Sequence, residues 1–414
     1  MNSQKTIIIL GGGTGGLVVA NELRKKAGKD ARIILIDKSQ THIYAPSFLY
    51  LMLGKRQPDK IQKPLALLRR KGIEFINEEI IKIDPESKLV KTQNQNLPYD
   101  YLIVSLGAEL VPEKIPGLAE SGYNLYALKG AEKLRDDLEN FSGGKVAIVI
   151  SSLPFKCPAA PYEAAFLLDE YFQKKGIRGI SEINIFTPET LPMPAAGSDI
   201  GRAIQGMLAE RKIGFNPETK LVSVDPQKSE LRFSAQGGFV SGGENGPEGK
   251  QASCGAGKTA NGLTARATGF NLLIFIPPHQ GPKVVRDSGL GNEMGWIPVD
   301  KKTLKTKYDK VFAVGDVIAA TVASGKPRPK AGVFAHYEAE VVAENIVREL
   351  KGLPADREYN GRASCFLEVG YGKAGFASGN FYAEPAPIVK MKRPGRLWHW
   401  GKILFEKYWL WKWF

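Results

Sequence analysis

Short apolar runs alternate along this chain with segments of helical periodicity. Residues 6–10 (TIIIL) are almost uninterrupted hydrophobic positions, the pattern of a strand buried on both faces, and they run straight into GGGTGG. A helical pattern covers 17–25, a second apolar run at 31–36 ends at Asp37, and 99–107 (YDYLIVSLG) reads as another buried strand stopping at glycine. Within 72–83, IEFI and EIIKI read as strands, with a hairpin through 84–90. The alternation then repeats: strand 145–150, helix 162–175, strand 182–188, helix 199–212 and a hairpin near 221–233. From 236 to 269 glycine, alanine, serine and threonine dominate, periodicity vanishes and a mobile loop is predicted. Order returns with NLLIFIPP at 271–278, a short strand in 311–316 (VFAVGD) and a helix at 333–350. Beyond 351 the pattern changes to a half-apolar strand within 361–370 (GRASCFLEVG).

Strands alternating with helices predict parallel sheets. The fold expected is α/β, with two Rossmann-like dinucleotide-binding domains followed by a C-terminal membrane-anchoring segment. The first domain takes 1–111 and 273–352, and the second takes 112–272, entered through the proline- and glycine-rich 111–122. The C-terminal domain takes 353–414. A chain of 414 residues with 43% hydrophobic content buries a sizeable core. Its formal net charge of +14 suggests an anionic surface or substrate: nucleic acid, acidic lipid or a small anion. Three scattered cysteines, without CxxC or Cys/His spacing, predict neither a disulfide scaffold nor structural zinc. The early apolar run, with only Lys5 ahead of it and glycines behind, reads as a first strand and not a signal peptide. No stretch approaches the length of a spanning helix, so any bilayer contact is expected from one side.

Gly11, Gly13 and Gly16 match G-x-G-x-x-G between a strand and a helix, and Asp37 stands about where the ribose-binding acid is expected. That register places the adenine half of FAD or NAD here, with Thr14 and Lys38 assigned to the same ligand. Pro46 and Ser47 are expected beside the pyrophosphate or the isoalloxazine, and Gly107 at a strand end facing the cofactor. Gly315 and Asp316 close another strand, where the aspartate can bind a ribityl hydroxyl. Lys330 precedes a helix, against the preference of the helix dipole; it either compensates an anion such as reduced flavin or is a solvated lysine.

The second strand-to-helix corner, 145–170 (KVAIVISSLPFKCPAAPYEAAFLLDE), carries no phosphate glycines. Ser151, Ser152, Pro154 and Pro158 fill it with side chains that prevent the close backbone approach a pyrophosphate needs. Cys157 falls at or near the N-cap of the next helix, where free N–H groups favour thiolate, so a redox thiol is expected in place of a nicotinamide cradle. Glu163, on the first turns of that helix, is the candidate proton acceptor. Cys365 taken alone reads as a small core hydrophobe, and its functional reading rests on pairing with Cys157. Cys254 reads as a free surface thiol. Gly257-Lys258-Thr259 is not a P-loop, because Ala252 stands where the upstream glycine belongs and no strand leads in. The tail RLWHWGKILFEKYWLWKWF holds Trp398, Trp400, Trp409, Trp411 and Trp413, five of the six tryptophans, among Arg396, Lys402, Lys407 and Lys412. That composition predicts an interfacial membrane anchor; the competing reading buries the aromatic face in the protein's own core or in a dimer.

Taken together, GGGTGG with Asp37, YDYLIVSLG, PFKCPAAPYE, VFAVGD, PKAGVFAHYEAE and GRASCFLEVG resemble the sulfide:quinone oxidoreductases, of the two-dinucleotide-binding-domain flavoprotein family. The resemblance covers nearly the whole chain except the glycine-rich stretch. It implies FAD, hydrogen sulfide as substrate, and a Cys157/Cys365 redox pair on one face of the isoalloxazine; Glu163 and Lys330 join them as catalytic candidates from their own positions in the sequence. It also implies a membrane quinone reduced at the opposite face near the tail, and peripheral, monotopic attachment to a bilayer surface, that of a prokaryotic cell membrane. No nucleic-acid partner is implied, and a homo-oligomer is left open. Many members carry a third cysteine; residues 121–135 contain none, which excludes covalent flavin there and implies a two-cysteine cycle. The histidines are only His42, His279, His336 and His399, so no histidine acid or base is carried over. A type II NADH:quinone oxidoreductase, a flavocytochrome c-type sulfide dehydrogenase and a non-catalytic flavoprotein are the competing readings.

Overall fold

The structure is a computed structural model and describes residues 4–234, 256–258 and 264–414. Cys254 and most of the glycine-rich stretch lie outside the described residues. Two five-stranded parallel sheets form the body of the molecule. The first runs in the order Val311–Ala313, Tyr101–Val104, Lys5–Leu10, Ala31–Ile36, Glu74–Ile76. Its central positions Ile7 to Leu10 are fully buried, as a strand covered by helices on both faces must be. The helices Thr14–Ala27 and Gly332–Leu350 pack against each other on this sheet. A side chain at Gly16 would lie 1.9 Å from the carbonyl oxygen of Gly11, so only glycine lets the first helix start this close to the strand it follows.

The second sheet runs Tyr123–Asn124, Leu272–Ile276, Gly144–Ile150, Ser181–Phe186, Gly214–Asn216. Leu272–Ile276 pairs parallel with Gly144–Ile150 and is buried, so the second unit extends through Ile276 and the expected boundary at 273 is corrected. The reason is the apolar run NLLIFIPP, which completes a sheet buried on both faces before the prolines end it. The chain crosses between units at two adjacent points, where Glu109–Leu110 pairs antiparallel with His279–Gln280 and Val111 N–H donates to Pro278 O at 2.9 Å. Part of the expected loop is ordered: Thr264–Gly269 pairs with Glu230–Phe233, whose free edge supplies backbone partners where the sequence has no hydrophobic period.

The C-terminal unit is an antiparallel sheet, Arg362–Glu368, Ala374–Asn380 and Ile388–Gly395, followed by the helix Arg396–Lys412. The tail's aromatic residues divide between two faces of that helix. Trp409 and Trp413 are buried, and Trp398 stacks on Phe376 at 4.9 Å, so these three are tied to the protein itself. Leu397, Trp400, Leu404, Tyr408 and Trp411, spaced at helical intervals, form an exposed stripe, with Trp411 76% accessible. Among the described residues no helix is long and apolar enough to cross a membrane.

Candidate active site

Residues of the first unit form a dinucleotide cradle. The helix Thr14–Ala27 begins at Gly13 with no side-chain cap, which leaves its first N–H groups free, and a side chain at Gly13 would meet nothing within 4 Å. The N-terminus of Gly332–Leu350, likewise uncapped, lies beside it, with Thr14 Oγ1 3.2 Å from where a Gly332 side chain would stand. Two convergent helix N-termini are an anion site suited to a pyrophosphate. Asp37 accepts from Gly12 N–H (2.6 Å) and Ser39 N–H (2.7 Å), which fixes the carboxylate at the end of its strand. Gly107 has φ +70° and open space at its Cβ position. Gly315 has φ +82° and donates its N–H to buried Glu338, and Asp316 has a buried carboxylate oxygen, Oδ1, without a partner. Open glycine backbone, free helix N–H groups and an orphaned acceptor fit FAD at both of its ends.

Other assigned residues have different neighbours. Lys38 is exposed and reaches only Glu79, at 3.9 Å. Pro46 lies in the short 3-10 turn Ala45–Ser47, and the Ser47 hydroxyl donates to Glu406 of the C-terminal helix at 2.6 Å, which ties that helix to the turn. Lys330 is not solvated. It is 4% exposed, its ammonium donates to the carbonyls of Asp316 (2.6 Å) and Ile318 (3.1 Å), and it stands 3.6 Å from the centre of the Trp296 ring. Burial, opposed by Asp316, pushes its pKa down to about 7, so at neutrality Lys330 is a group that gains and loses a proton.

Cys157 and Cys365 are free and line one cavity of about 330 Å³, together with Lys330, Arg328, Phe155, Met193 and Phe334. Two segments far apart in the chain meet because Arg362–Glu368 packs against both the cysteine helix, Ala160–Lys175, and Gly332–Leu350. Cys157 lies two residues before the N-cap Ala159, in the left-handed region at φ +49°, a conformation that costs a non-glycine residue about 1–3 kcal/mol. Its surroundings hold it there. Its N–H donates to Lys330 O (2.5 Å), and its carbonyl accepts from Ala160 N–H (3.0 Å) and the Tyr126 hydroxyl (2.9 Å).

The expected depression of the Cys157 pKa is corrected. Burial raises it above the ordinary thiol value, Glu163 and Cys365 add to the rise, and Lys402 and the Ala160 N–H only partly offset it. Loss of hydration outweighs the helix N-terminus at this depth. Cys365, exposed onto the cavity but enclosed by protein, is pushed up to about 11 by burial and then by Glu163. Glu163 lies behind the thiols, 2% exposed, and its Oε1 accepts from Lys402 Nζ (2.6 Å) and Glu368 N–H (2.7 Å). The carboxylate expected to accept protons is thus committed to an ion pair with the C-terminal helix. Lys402, read from sequence as a cation for lipid, is its buried partner.

Three residues given no role from the sequence belong to the framework of this site. His42 donates from Nδ1 to Gly12 O (2.9 Å) and accepts at Nε2 from Trp409 Nε1–H (3.1 Å), linking the phosphate loop to the C-terminal helix. Glu368, fully buried, binds Tyr50 OH (2.7 Å) and His399 Nδ1 (3.0 Å). Glu189 joins the cysteine cavity's wall. Only Glu189 had a local signal, since it follows a predicted strand at the place of a ribose-binding acid.

Two parallel-sheet units, one with a phosphate cradle and the other with a cysteine at the corresponding corner, define a flavin-dependent oxidoreductase. The sequence matches the pyridine nucleotide-disulphide oxidoreductase family over residues 5–339, and the chain belongs to that family. It is 29% identical to the sulfide-quinone reductase of Aquifex aeolicus, over 99% of this chain and 91% of that protein. It is 25% identical to the mitochondrial sulfide:quinone oxidoreductase of Mus musculus, over 92% of this chain and 79% of that protein. The X-ray structure of the Aquifex aeolicus sulfide:quinone oxidoreductase matches with a TM-score of 0.83 at 26% identity, covering 99% of this chain and 91% of that one. A type II NADH:quinone oxidoreductase of Staphylococcus haemolyticus is 24% identical over 87% of each chain.

Proposed function

We propose that this chain oxidises hydrogen sulfide at Cys157 and Cys365 and passes the electrons through FAD to a membrane quinone. The observation that carries this reading is the single cavity walled by both cysteines, at the corner where a nicotinamide-binding unit would keep its glycines. The cycle starts with the pair oxidised, as a disulfide or a sulfur-bridged link. Hydrosulfide attacks one sulfur, the existing S–S bond breaks, a new S–S bond forms to the incoming sulfur, and the other cysteine leaves as a thiolate. When bound, FAD would supply the two-electron acceptor for this cycle, held by the cradle of the first unit. A thiolate is costly here, because burial and Glu163 both oppose it, so its charge is readily passed on. Lys402 balances Glu163, and Lys330, with its pKa near neutrality, can meet negative charge arriving beside Asp316 with a proton.

The exposed stripe of the C-terminal helix supports docking on one side of a bilayer, with Arg396 and Lys407 exposed on the same helix for acidic headgroups. The same helix holds Lys402 against Glu163, so a quinone arriving along it would come close to the redox centre. The type II NADH:quinone reading has the similarity to the staphylococcal enzyme in its favour. Against it stand Ser151, Ser152, Pro154 and Pro158 in place of a second glycine cradle.

Anaerobic titration of the purified protein with sulfide and, separately, with NADH tests the proposal through flavin absorbance. Sulfide is expected to bleach the flavin, NADH to leave it oxidised, and Cys157→Ser or Cys365→Ser to abolish the sulfide response. Bleaching by NADH alone would establish the alternative.

A further inference from the structure

Glu189 follows the strand Ser181–Phe186, where a nicotinamide-binding unit carries the acid that holds a ribose. In this chain the side chain is 3% exposed, and its Oε2 accepts from the Tyr162 hydroxyl (2.5 Å) and the Thr187 hydroxyl (3.1 Å). Among the described residues it is the only carboxylate lining the cysteine cavity. Burial pushes its pKa up to about 7, while the Tyr162 and Thr187 hydrogen bonds restrain the rise. It therefore changes charge near neutrality, where a general base works best.

The chemistry of the cavity requires such a group. Phe155, Met193, Val333, Phe334 and Phe381 make much of the wall apolar, so neutral hydrogen sulfide enters at less cost than hydrosulfide, which would have to shed its water. The sulfur anion, however, is the attacking form. Glu163 is unsuited to deprotonate it, because its Oε1 is held by Lys402 and the Glu368 N–H.

We propose that Glu189 is the cavity's general base, taking the first proton from hydrogen sulfide. The S–H bond breaks, the proton passes to the carboxylate, and hydrosulfide remains in the cavity that the cysteines line, where Arg328, Lys326 and Lys330 also line the wall and favour its charge. The step moves no electrons. The groups that act on Glu189 are the Tyr162 hydroxyl from the cysteine helix, the Thr187 hydroxyl and the Met193 backbone, with Tyr126 near enough to feel its charge, while Cys157, Cys365, Lys326, Arg328 and Lys330 line the same cavity. The inference rests on the sulfide reading.

The test is stopped-flow flavin bleaching by sulfide without oxygen, from about pH 6 to pH 9, in the parent, Glu189→Gln and Tyr162→Phe. With FAD content and melting temperature unchanged, Glu189→Gln is expected to slow bleaching by on the order of 100-fold at the acid end. It should approach the parent at the alkaline end, where solution already supplies hydrosulfide. Tyr162→Phe keeps the base but removes a donor to its ionised form, so the parent's acid limb should move to higher pH. An equal slowing at every pH, or none at pH 6, overturns the proposal. Should Glu189→Gln fail to hold FAD, the Tyr162→Phe shift alone decides, and its absence is fatal. A parent that sulfide does not bleach overturns the sulfide reading together with this one, whereas a bleached parent with an indifferent Glu189→Gln overturns this one only.

Discussion

Replacing Lys402 with methionine removes a cation and keeps most of the side-chain volume, and its consequences can be worked out from the pair it breaks. Lys402 Nζ is 2.6 Å from Glu163 Oε1, with side chains only 9% and 3% exposed, and the remaining donor on that oxygen is a backbone N–H. A buried carboxylate left without its counter-charge costs about 3–5 kcal/mol. Adding Glu163→Gln removes the stranded charge, so the double variant should regain most of that loss, and the mutant cycle should show strong coupling. The thiols provide a second readout with opposite signs. Glu163 raises both cysteine pKa values and Lys402 lowers both, so K402M should slow alkylation of Cys157 and Cys365 at a given pH and E163Q should speed it. Denaturant unfolding of the flavin-loaded protein and iodoacetamide labelling across pH measure the two effects. A K402M cost below about 1 kcal/mol, a double variant as unstable as K402M, or labelling shifts in the same direction in both single variants would refute this coupling.

Two further outcomes follow from burial and charge. Trp400 and Trp411 are 59% and 76% exposed, and inserting about half of their ring area at roughly 25 cal/mol per Å² contributes about 3 kcal/mol to interfacial binding. W400S/W411S should therefore reduce co-sedimentation with anionic vesicles roughly 100-fold, and unchanged binding would remove the case for a membrane-facing helix. Lys330 releases its proton at about 7 in the folded chain against 10.5 for an ordinary lysine, so between those values the unfolded state binds more protons. Unfolding free energy should thus gain a rising component with pH across that window, and Lys330→Met should flatten it when urea unfolding is compared at pH 7 and pH 9. An identical slope in parent and variant would show that Lys330 is not titrating there.

The parts of the site that were legible in sequence are those defined by neighbours along the chain. The phosphate loop, Asp37 and the glycine-free corner holding Cys157 each need only a strand, a turn and a helix in register. The charge states were not legible. Cys157 is near a helix N-terminus, as its prolines imply, yet burial and Glu163 set its pKa in the other direction, and neither can be read from residues 145–170. Lys330 and Lys402 show the same gap: both are cations in sequence, but one loses its charge near neutrality and the other is locked to a buried carboxylate.

The sequence by itself determined the two α/β units and the FAD cradle, because hydrophobic period and glycine spacing act over a few residues. Tertiary structure alone decided which distant groups share a cavity and which face of the tail is free. Glu163 and Lys402 are 239 positions apart, and His42 and Trp409 are 367 apart. Such pairs leave no local trace, because their energy comes from desolvation and direct contact, which exist only once the chain has folded.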